Sequence, residues 1–444
     1  MPNTDSKHWG IVGGGVLGMT LALRLRQQGK RVTLLEAAPS TGGLAAAWEI
    51  GGTTWDKHYH VTLLSDSSTR SLLKELGLDD DMRWVETKTG FYTGDKHYSM
   101  SSSLEFLMFP PLSLIDKFRL GATIYYAARV RDWKKLETTT SAEWLCKLSG
   151  KSVFEKIWKP LLISKLGDGY DKASAAFIWA IIQRMYAARR SGMKKEMFGY
   201  LPGGYSRFFE SLGSHLIKEG VVLRINAAVE RVSEGVAGVD VQLANGQETL
   251  SFDQVVLTVP SPVVTKICPD LSAAERSSHE GISYQGILCA SVLLKKPLEG
   301  YYVTNITDDW VPFTAVIEMT ALVEPEEIGG NYLVYLPRYV DSSDTGAFER
   351  TDEELREEFW SALQRMHPML EQDDLVAFQV SRARHVLAIS TIGYSESLPA
   401  SKTSIPGVRV VNSALICNGT LNVNETIALA NNAAQDILKE APPE

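Results

Sequence analysis

Cysteine is scarce. Cys146, Cys268, Cys289 and Cys417 are the only four in 444 residues, and no two form a C-x-x-C pair. That spacing excludes a disulfide scaffold and a cysteine zinc site, and points to buried thiols in a reducing compartment. Long apolar runs are also missing, since the longest, 173–182, is too short to span a bilayer. There is no excess of positive charge: 45 Lys and Arg face 53 Asp and Glu, a net charge of −8, which argues against nucleic acid as a partner. No repeat or low-complexity tract appears. A short polar stretch leads straight into the first apolar strand, so no signal peptide is expected. The reading is a cytoplasmic protein, with peripheral membrane contact left open. What remains is ordinary globular composition, 44% hydrophobic, in a chain long enough for two or three domains.

One stretch departs from the acidic balance. Residues 117–195 hold 17 Lys and Arg against 6 Asp and Glu. Such a segment suits an anionic surface or ligand, and equally a solvated helical face.

The most informative stretch is 9–36. Trp9 to Val12 reads as a buried strand. Gly13, Gly15 and Gly18 then fill the pattern G-x-G-x-x-G. A helix is expected over 16–28, with Leu17, Leu21 and Leu25 on one face, and a second strand over 31–35 ends at Glu36. Strand, glycine turn, helix, strand and acid form a dinucleotide-binding unit. Gly13 permits the tight turn. Gly15 admits a pyrophosphate to the backbone, Gly18 lets helix and strand close up, and Glu36 accepts from ribose hydroxyls. The competing reading is a tight βα turn in an ordinary α/β domain.

Further along, Gly42 and Gly43 make a second glycine turn. Helices are expected over 116–130, 141–148, 153–163, 173–189, 206–219, 352–366 and 425–439. Strands are expected over 221–225, 228–232, 253–259, 287–294, 311–318, 332–336 and 408–411. A hairpin of 239–243 with 249–252 should turn at Asn245-Gly246. The coarse order gives an α/β fold: a Rossmann-like nucleotide domain in three pieces, 1–100, 201–275 and 401–444. A helical cap at 101–200 and a mixed-sheet substrate domain at 276–400 are inserted between them.

Several of these features together resemble the flavin amine oxidase superfamily, of the glutathione reductase-2 type. They are the fingerprint ending in Glu36, the turn Gly42-Gly43, the segment Asp253 to Pro260 of form D-x-V-V-x-T-x-P, and the closing run Val410-Val411-Asn412-Ser413 before a helix. Protoporphyrinogen oxidases and phytoene and squalene desaturases belong there, with UDP-galactopyranose mutases more distant. The resemblance implies FAD. It implies that Gly13, Gly15, Val16, Leu17 and Gly18 hold the pyrophosphate, with Glu36 and Ala37 at the adenosine ribose. Gly42, Gly43 and Leu44 would pass under the ribityl and phosphate region, Val229 would meet adenine, and Thr258 would be among the cofactor-binding residues. Asn412 would take the place of a ribityl-binding acid, with Val423, Asn424 and Glu425 beside the flavin pyrimidine. The family usually has arginine where Leu44 stands.

Trp55 to Val61 is the most chemically loaded string. It resembles the segment beside the isoalloxazine ring, where His60 matches a histidine and His58 replaces a glycine, with Tyr59 between them. Strand alternation would put Asp56, His58 and His60 on one face. His60 is the candidate proton carrier or substrate-orienting group. His58 reads more as a hydrogen-bonded core histidine, and no third ligand suggests a metal beside the pair. Tyr394 is a candidate substrate contact. The stretch Leu288 to Ser291 lacks the lysine of many amine oxidases, which favours the desaturase and protoporphyrinogen oxidase branch. In the cap, Trp144, Phe154, Trp158, Phe177, Trp179 and Tyr186 suit an apolar or amphipathic small-molecule substrate as well as plain packing. The expected activity is an FAD-dependent oxidoreductase taking hydride from such a substrate. The alternative is a non-redox flavin isomerase of the mutase or carotenoid-isomerase kind.

Overall fold

The computed structural model describes residues 7–188, 197–246 and 248–440. Arg189, the last residue of one expected helix, lies outside them. A five-stranded parallel sheet runs in the spatial order Val222–Arg224, Arg31–Leu35, His8–Val12, Gln254–Leu257, Val408–Val410. In chain order that is 3-2-1-4-5. The direction of winding reverses between His8–Val12 and Gln254–Leu257, and in open parallel sheets ligands bind at that reversal. The helix Val16–Gln27 is buried almost all round, from Val16 to Leu23 and at Leu25. Such a helix needs cover on every side. The sheet covers one side, and Ile427, Ala430, Ala434 and Ile437 of the helix Val423–Glu440 share its apolar core.

The second sheet has seven strands, in the order Leu375–Ala388, Tyr284–Leu294, Tyr332–Asp341, Ala315–Glu318, Val303–Ile306, Thr89–Tyr92, His97–Ser99. All its pairings are antiparallel except Val303–Ile306 with Thr89–Tyr92. Tyr284–Leu294 is buried along its whole length. Its alternation divides two cores. Leu288, Ala290, Val292 and Leu294 pack with Phe359 and Leu363 of the helix Asp352–Met366. Ile287, Cys289 and Leu293 face the other way, into a cluster holding Trp55 and Tyr335. The expected strand over 311–318 is shorter, Ala315–Glu318, and Thr89–Tyr92 and His97–Ser99 join this sheet from within 1–100. The hairpin forms as Gly238–Leu243 with Thr249–Phe252.

The cap is helical. Capping boxes start three of its helices, Ser102 with Glu105, Ser113 with Asp116, and Thr140 with Glu143, each satisfying free N–H groups of the first turn. The helix that runs from Lys151 to Leu166 contains a π-helical turn, Phe154–Trp158, just before Pro160. Proline lacks an N–H and its ring crowds the carbonyl four residues back, so the wider turn relieves the clash. All four cysteines are free. Among the described residues, no helix is long and apolar enough to cross a membrane.

Candidate functional site

One cavity of about 940 Å3 runs from the Gly13–Gly15 turn, past the segment after Asp56, to the inner wall of the cap. Its first end is set by glycine geometry. Gly13 has φ 113°, and a Cβ on Gly18 would lie 1.9 Å from the Gly13 carbonyl oxygen. Only a residue without Cβ lets the helix approach the turn this closely. A Cβ on Gly15 would meet nothing within 4 Å, because that Cα faces the open cavity. The Gly42 N–H donates to the Gly14 carbonyl at 2.9 Å, so the second glycine turn sits on the first. Thr258 Oγ1 donates to the carbonyls of Val12 and Gly13 at 2.9 and 3.1 Å and holds the turn from below. Glu36 accepts from the Gly14 and Ala38 N–H groups at 2.6 and 2.8 Å. The helix Val16–Gln27 has no side-chain cap and no acid in its first turn, which leaves its N–H groups to an anion.

At the far side of this turn the chain brings up its histidines. The strand Thr53–Asp56 ends at Asp56 and does not continue through His60. The alternation that would place Asp56, His58 and His60 on one face therefore stops, and the three separate. Asp56 is fully buried. Its Oδ1 accepts from the Tyr205 N–H at 2.9 Å, and burial pushes its carboxyl up to about 8 against a smaller opposing effect of that bond. It borders a second cavity of about 20 Å3 with Thr62 and Tyr205, and His60 lines both cavities.

The His58 Nδ1 donates to the Leu44 carbonyl at 2.9 Å, and the His60 Nδ1 donates to the His58 carbonyl at 3.0 Å. A carbonyl only accepts, so in each ring Nδ1 carries the proton and Nε2 keeps the lone pair. Burial lowers both histidines; His60 falls to about 4, with the nearby His58 charge adding to the effect. Both are neutral acceptors near pH 7. The His58 Nε2 is buried in the cavity wall without a hydrogen-bond partner, so His58 is not a fully satisfied core histidine. Beside it, the Tyr59 and Tyr339 hydroxyls share a hydrogen bond of 3.0 Å.

Gly13, Gly15, Val16, Leu17, Glu36, Gly42, Gly43, Leu44, His58, Tyr59, His60, Thr258 and Val423 all line the cavity. Gly18, Ala37, Val229, Asn412, Tyr394, Asn424 and Glu425 do not. The Asn412 amide is consumed at the strand end, donating to the Val259 carbonyl and Ser261 Oγ; its neighbour Ser413 reaches the cavity instead. The Tyr394 hydroxyl donates to the Ala414 carbonyl at 2.8 Å, which makes it a packing residue, not one that faces the cavity. Asn424 Oδ1 accepts from the N–H groups of Ser68 and Thr69.

The cap wall is Trp158, Leu161, Leu162, Phe177, Ile178 and Ile182, with Tyr186 near its edge. Trp144, Phe154 and Trp179 pack in the cap core. Sequence reasoning missed Lys165, Arg184 and His385. Arg184 is tied to the buried carboxylate of Asp66 at 2.8 and 3.0 Å. Lys165 has no carboxylate partner among the described residues, and its Nζ lies 5.6 Å from the centre of the Tyr339 ring. Its i, i+3 and i+4 relation to Leu161 and Leu162 was the available signal. Glu36 is the one carboxylate among the described lining residues. Away from the cavity, His97, Glu299 and His367 bring their ligand-type atoms within 4.8 Å of one another. Glu299 accepts from His367 Nδ1 at 2.8 Å and His97 Nε2 donates to the Met366 carbonyl, while His97 Nδ1 and His367 Nε2 are buried without a hydrogen-bond partner.

Comparison with known proteins agrees with this geometry. The family model described as flavin containing amine oxidoreductase matches residues 18–438. The 4,4'-diapolycopen-4-al dehydrogenase of Metabacillus indicus is 26% identical over 298 residues, covering 60% of this chain and 58% of that protein. The chain thus spans under two thirds of that relative's length. The hydroxysqualene dehydroxylase of Zymomonas mobilis is 20% identical over 417 residues, 89% of this chain and 90% of that protein. The crystal structure of a putative protoporphyrinogen oxidase from Exiguobacterium superposes with a TM-score of 0.75 at 18% identity, covering 99% of this chain and all of the other, and shares its fold. The chain belongs to the flavin-containing amine oxidoreductase family, and FAD is its cofactor. The open space at Gly15, the uncapped helix and the unpartnered His58 Nε2 fit that group.

Proposed function

We propose that this flavin-containing amine oxidoreductase oxidises an apolar or amphipathic small molecule bound against the cap. The cavity supports this reading: it joins a dinucleotide-sized cradle to a wall of Trp158, Phe177, Ile178 and Ile182. The relatives' names, a dehydrogenase of a diapolycopenal and a dehydroxylase of hydroxysqualene, point to the same substrate class. The bound flavin supplies a two-electron acceptor. This chain's residues do the rest. The turn Gly13–Gly18 and Glu36 grip the cofactor's pyrophosphate and ribose. His58 Nε2, a buried lone pair without a partner, would accept a hydrogen bond from the bound cofactor, and the cap would exclude water. His60, neutral with its Nε2 free to accept, orients the substrate or takes up a proton. The segments 1–100, 201–275 and 401–444 act as the FAD-binding part, and 101–200 and 276–400 hold the substrate. A cytoplasmic location with peripheral membrane contact completes the proposal.

The apolar wall beside the cofactor cradle carries this reading. The test is anaerobic. Purified protein should release FAD on denaturation, and carotenoid, terpenoid or porphyrinogen substrates should bleach its absorbance in stoichiometric amount. A compound that is rearranged only after the flavin has been reduced, and consumes no acceptor, would move the assignment to an isomerase.

A further inference from the structure

The helix Leu114–Ala127 has an inverted surface. Its inner face buries Leu120, Thr123 and Ala127, and Ile124 reaches the large cavity. Its outer face should be polar in a water-facing helix. Instead Leu114 and Phe118 are 75% and 78% exposed, with Ile115 between them similarly open. Tyr125 and Tyr126 continue the stripe, each more than half exposed. The preceding short helix, Ser103–Met108, adds Leu104, Leu107 and Met108, all more than half exposed. The two helices are clamped by Lys117, whose Nζ donates to the Leu107 carbonyl at 2.7 Å. A contiguous apolar patch of this kind marks a surface that is covered in use.

The charge beside the patch selects what covers it. The acids of the two helices, Glu105 and Asp116, are both engaged in capping boxes, and Asp116 also accepts from Ser152. Arg119, Lys151 and Lys156 stand exposed around the tip, and the Lys156 Nζ donates to the Pro111 carbonyl at the turn between the helices. Apolar side chains ringed by bases match the interface of an anionic lipid leaflet. A second copy of the chain would set these bases against one another.

We propose that the Ser103–Ala127 helix pair is a membrane-docking element that inserts into an anionic bilayer and places the Ile124 wall of the cavity at the lipid boundary. An apolar substrate then passes from lipid to the flavin without crossing water. The route rests on the apolar-substrate reading above, but docking is measured without substrate, so either can fail alone.

Flavin-loaded protein is sedimented with vesicles of phosphatidylcholine, with and without phosphatidylglycerol. Wild type should bind the anionic vesicles. The double variant Leu114→Glu, Phe118→Glu should need at least roughly a hundredfold more lipid, about tenfold per inserted side chain. Both side chains are exposed, and a glutamate at 114 suits a helix start, so FAD content and melting temperature should stay as in wild type. Lys151→Gln with Lys156→Gln should erase the preference for phosphatidylglycerol. Wild type that ignores both vesicles, a double variant that binds as well as wild type, or a patch found buried in a lipid-independent dimer would each overturn the proposal.

Discussion

Two glycines of one fingerprint should fail in opposite ways. Gly18→Ala puts a Cβ 1.9 Å from the Gly13 carbonyl oxygen, where ordinary contact begins at 3.4 Å. The helix Val16–Gln27 must back away by about 1.5 Å from a sheet on which it is buried all round, and overpacking of that kind costs about 3 kcal/mol. The obstacle is backbone, so no side chain can swing aside. For Gly15→Val, the added Cβ meets no protein atom within 4 Å, and the φ of −72° suits any residue. Its cost to the apoprotein is the poorer helix cap, about 1 kcal/mol. Its branched side chain instead fills the space that the pyrophosphate needs. Urea unfolding of the apoproteins by tryptophan fluorescence should therefore show a large loss for Gly18→Ala and a small one for Gly15→Val. Released flavin should be near zero in Gly15→Val. Wild-type apoprotein stability in Gly18→Ala, or stoichiometric FAD in Gly15→Val, would refute the geometric argument.

Burial holds the Asp56 carboxyl at about 8, above its ordinary 3.8, so the folded chain keeps a proton that the unfolded chain releases. Its contribution to stability is full below about pH 4 and is lost as pH rises to 8, on the order of several kcal/mol at most. Asp56→Asn, which still accepts from the Tyr205 N–H, should flatten the fall in thermal midpoint between pH 5 and 8; parallel profiles would count against this. His60→Ala should keep FAD but slow flavin reduction by roughly a hundredfold. Because burial lowers His60 to about 4, the wild-type rate should show no histidine step between pH 6 and 8. Lys165→Met should weaken binding of a carboxylate- or phosphate-bearing substrate by roughly tenfold or more and leave a pure hydrocarbon untouched; equal effects on both would make Lys165 a packing residue.

The dinucleotide turn was legible in the sequence because its chemistry is local. Gly13, Gly18 and Glu36 act on neighbours within one strand–helix–strand unit, so spacing alone places them. The parallel sheet followed from the same logic; the cap aromatics did not sort themselves, since Trp158 and Phe177 reach the cavity while Trp144, Phe154 and Trp179 pack in the cap core. The region around the histidines was not legible. Whether a strand ends at Asp56 or runs to His60 depends on Tyr205 and Tyr335, which arrive from far along the chain and bind Asp56 at its side chain and its carbonyl. Tyr394 and Asn412 stand outside the cavity lining for a related reason. Their polar atoms are spent on the carbonyls of Ala414 and Val259, and no local pattern reveals that. Lys165 and His385 reach the cavity through the packing of the cap and the seven-stranded sheet.

The strand order of the parallel sheet also governs how the chain is made. His8–Val12, its central strand, bonds to Gln254–Leu257 on one side, and the sheet closes only with Val408–Val410. At roughly 5–20 residues per second, a ribosome leaves the first strand without that neighbour for on the order of tens of seconds. During this time the helix Val16–Gln27, buried almost all round in the finished fold, also lacks the cover of Val423–Glu440. The dinucleotide grip is thus begun at His8–Val12 and completed only when Val408–Val410 and Val423–Glu440 have been made. Nascent chains should depend on chaperones until the final helix emerges, and holoenzyme formation should be a post-translational step.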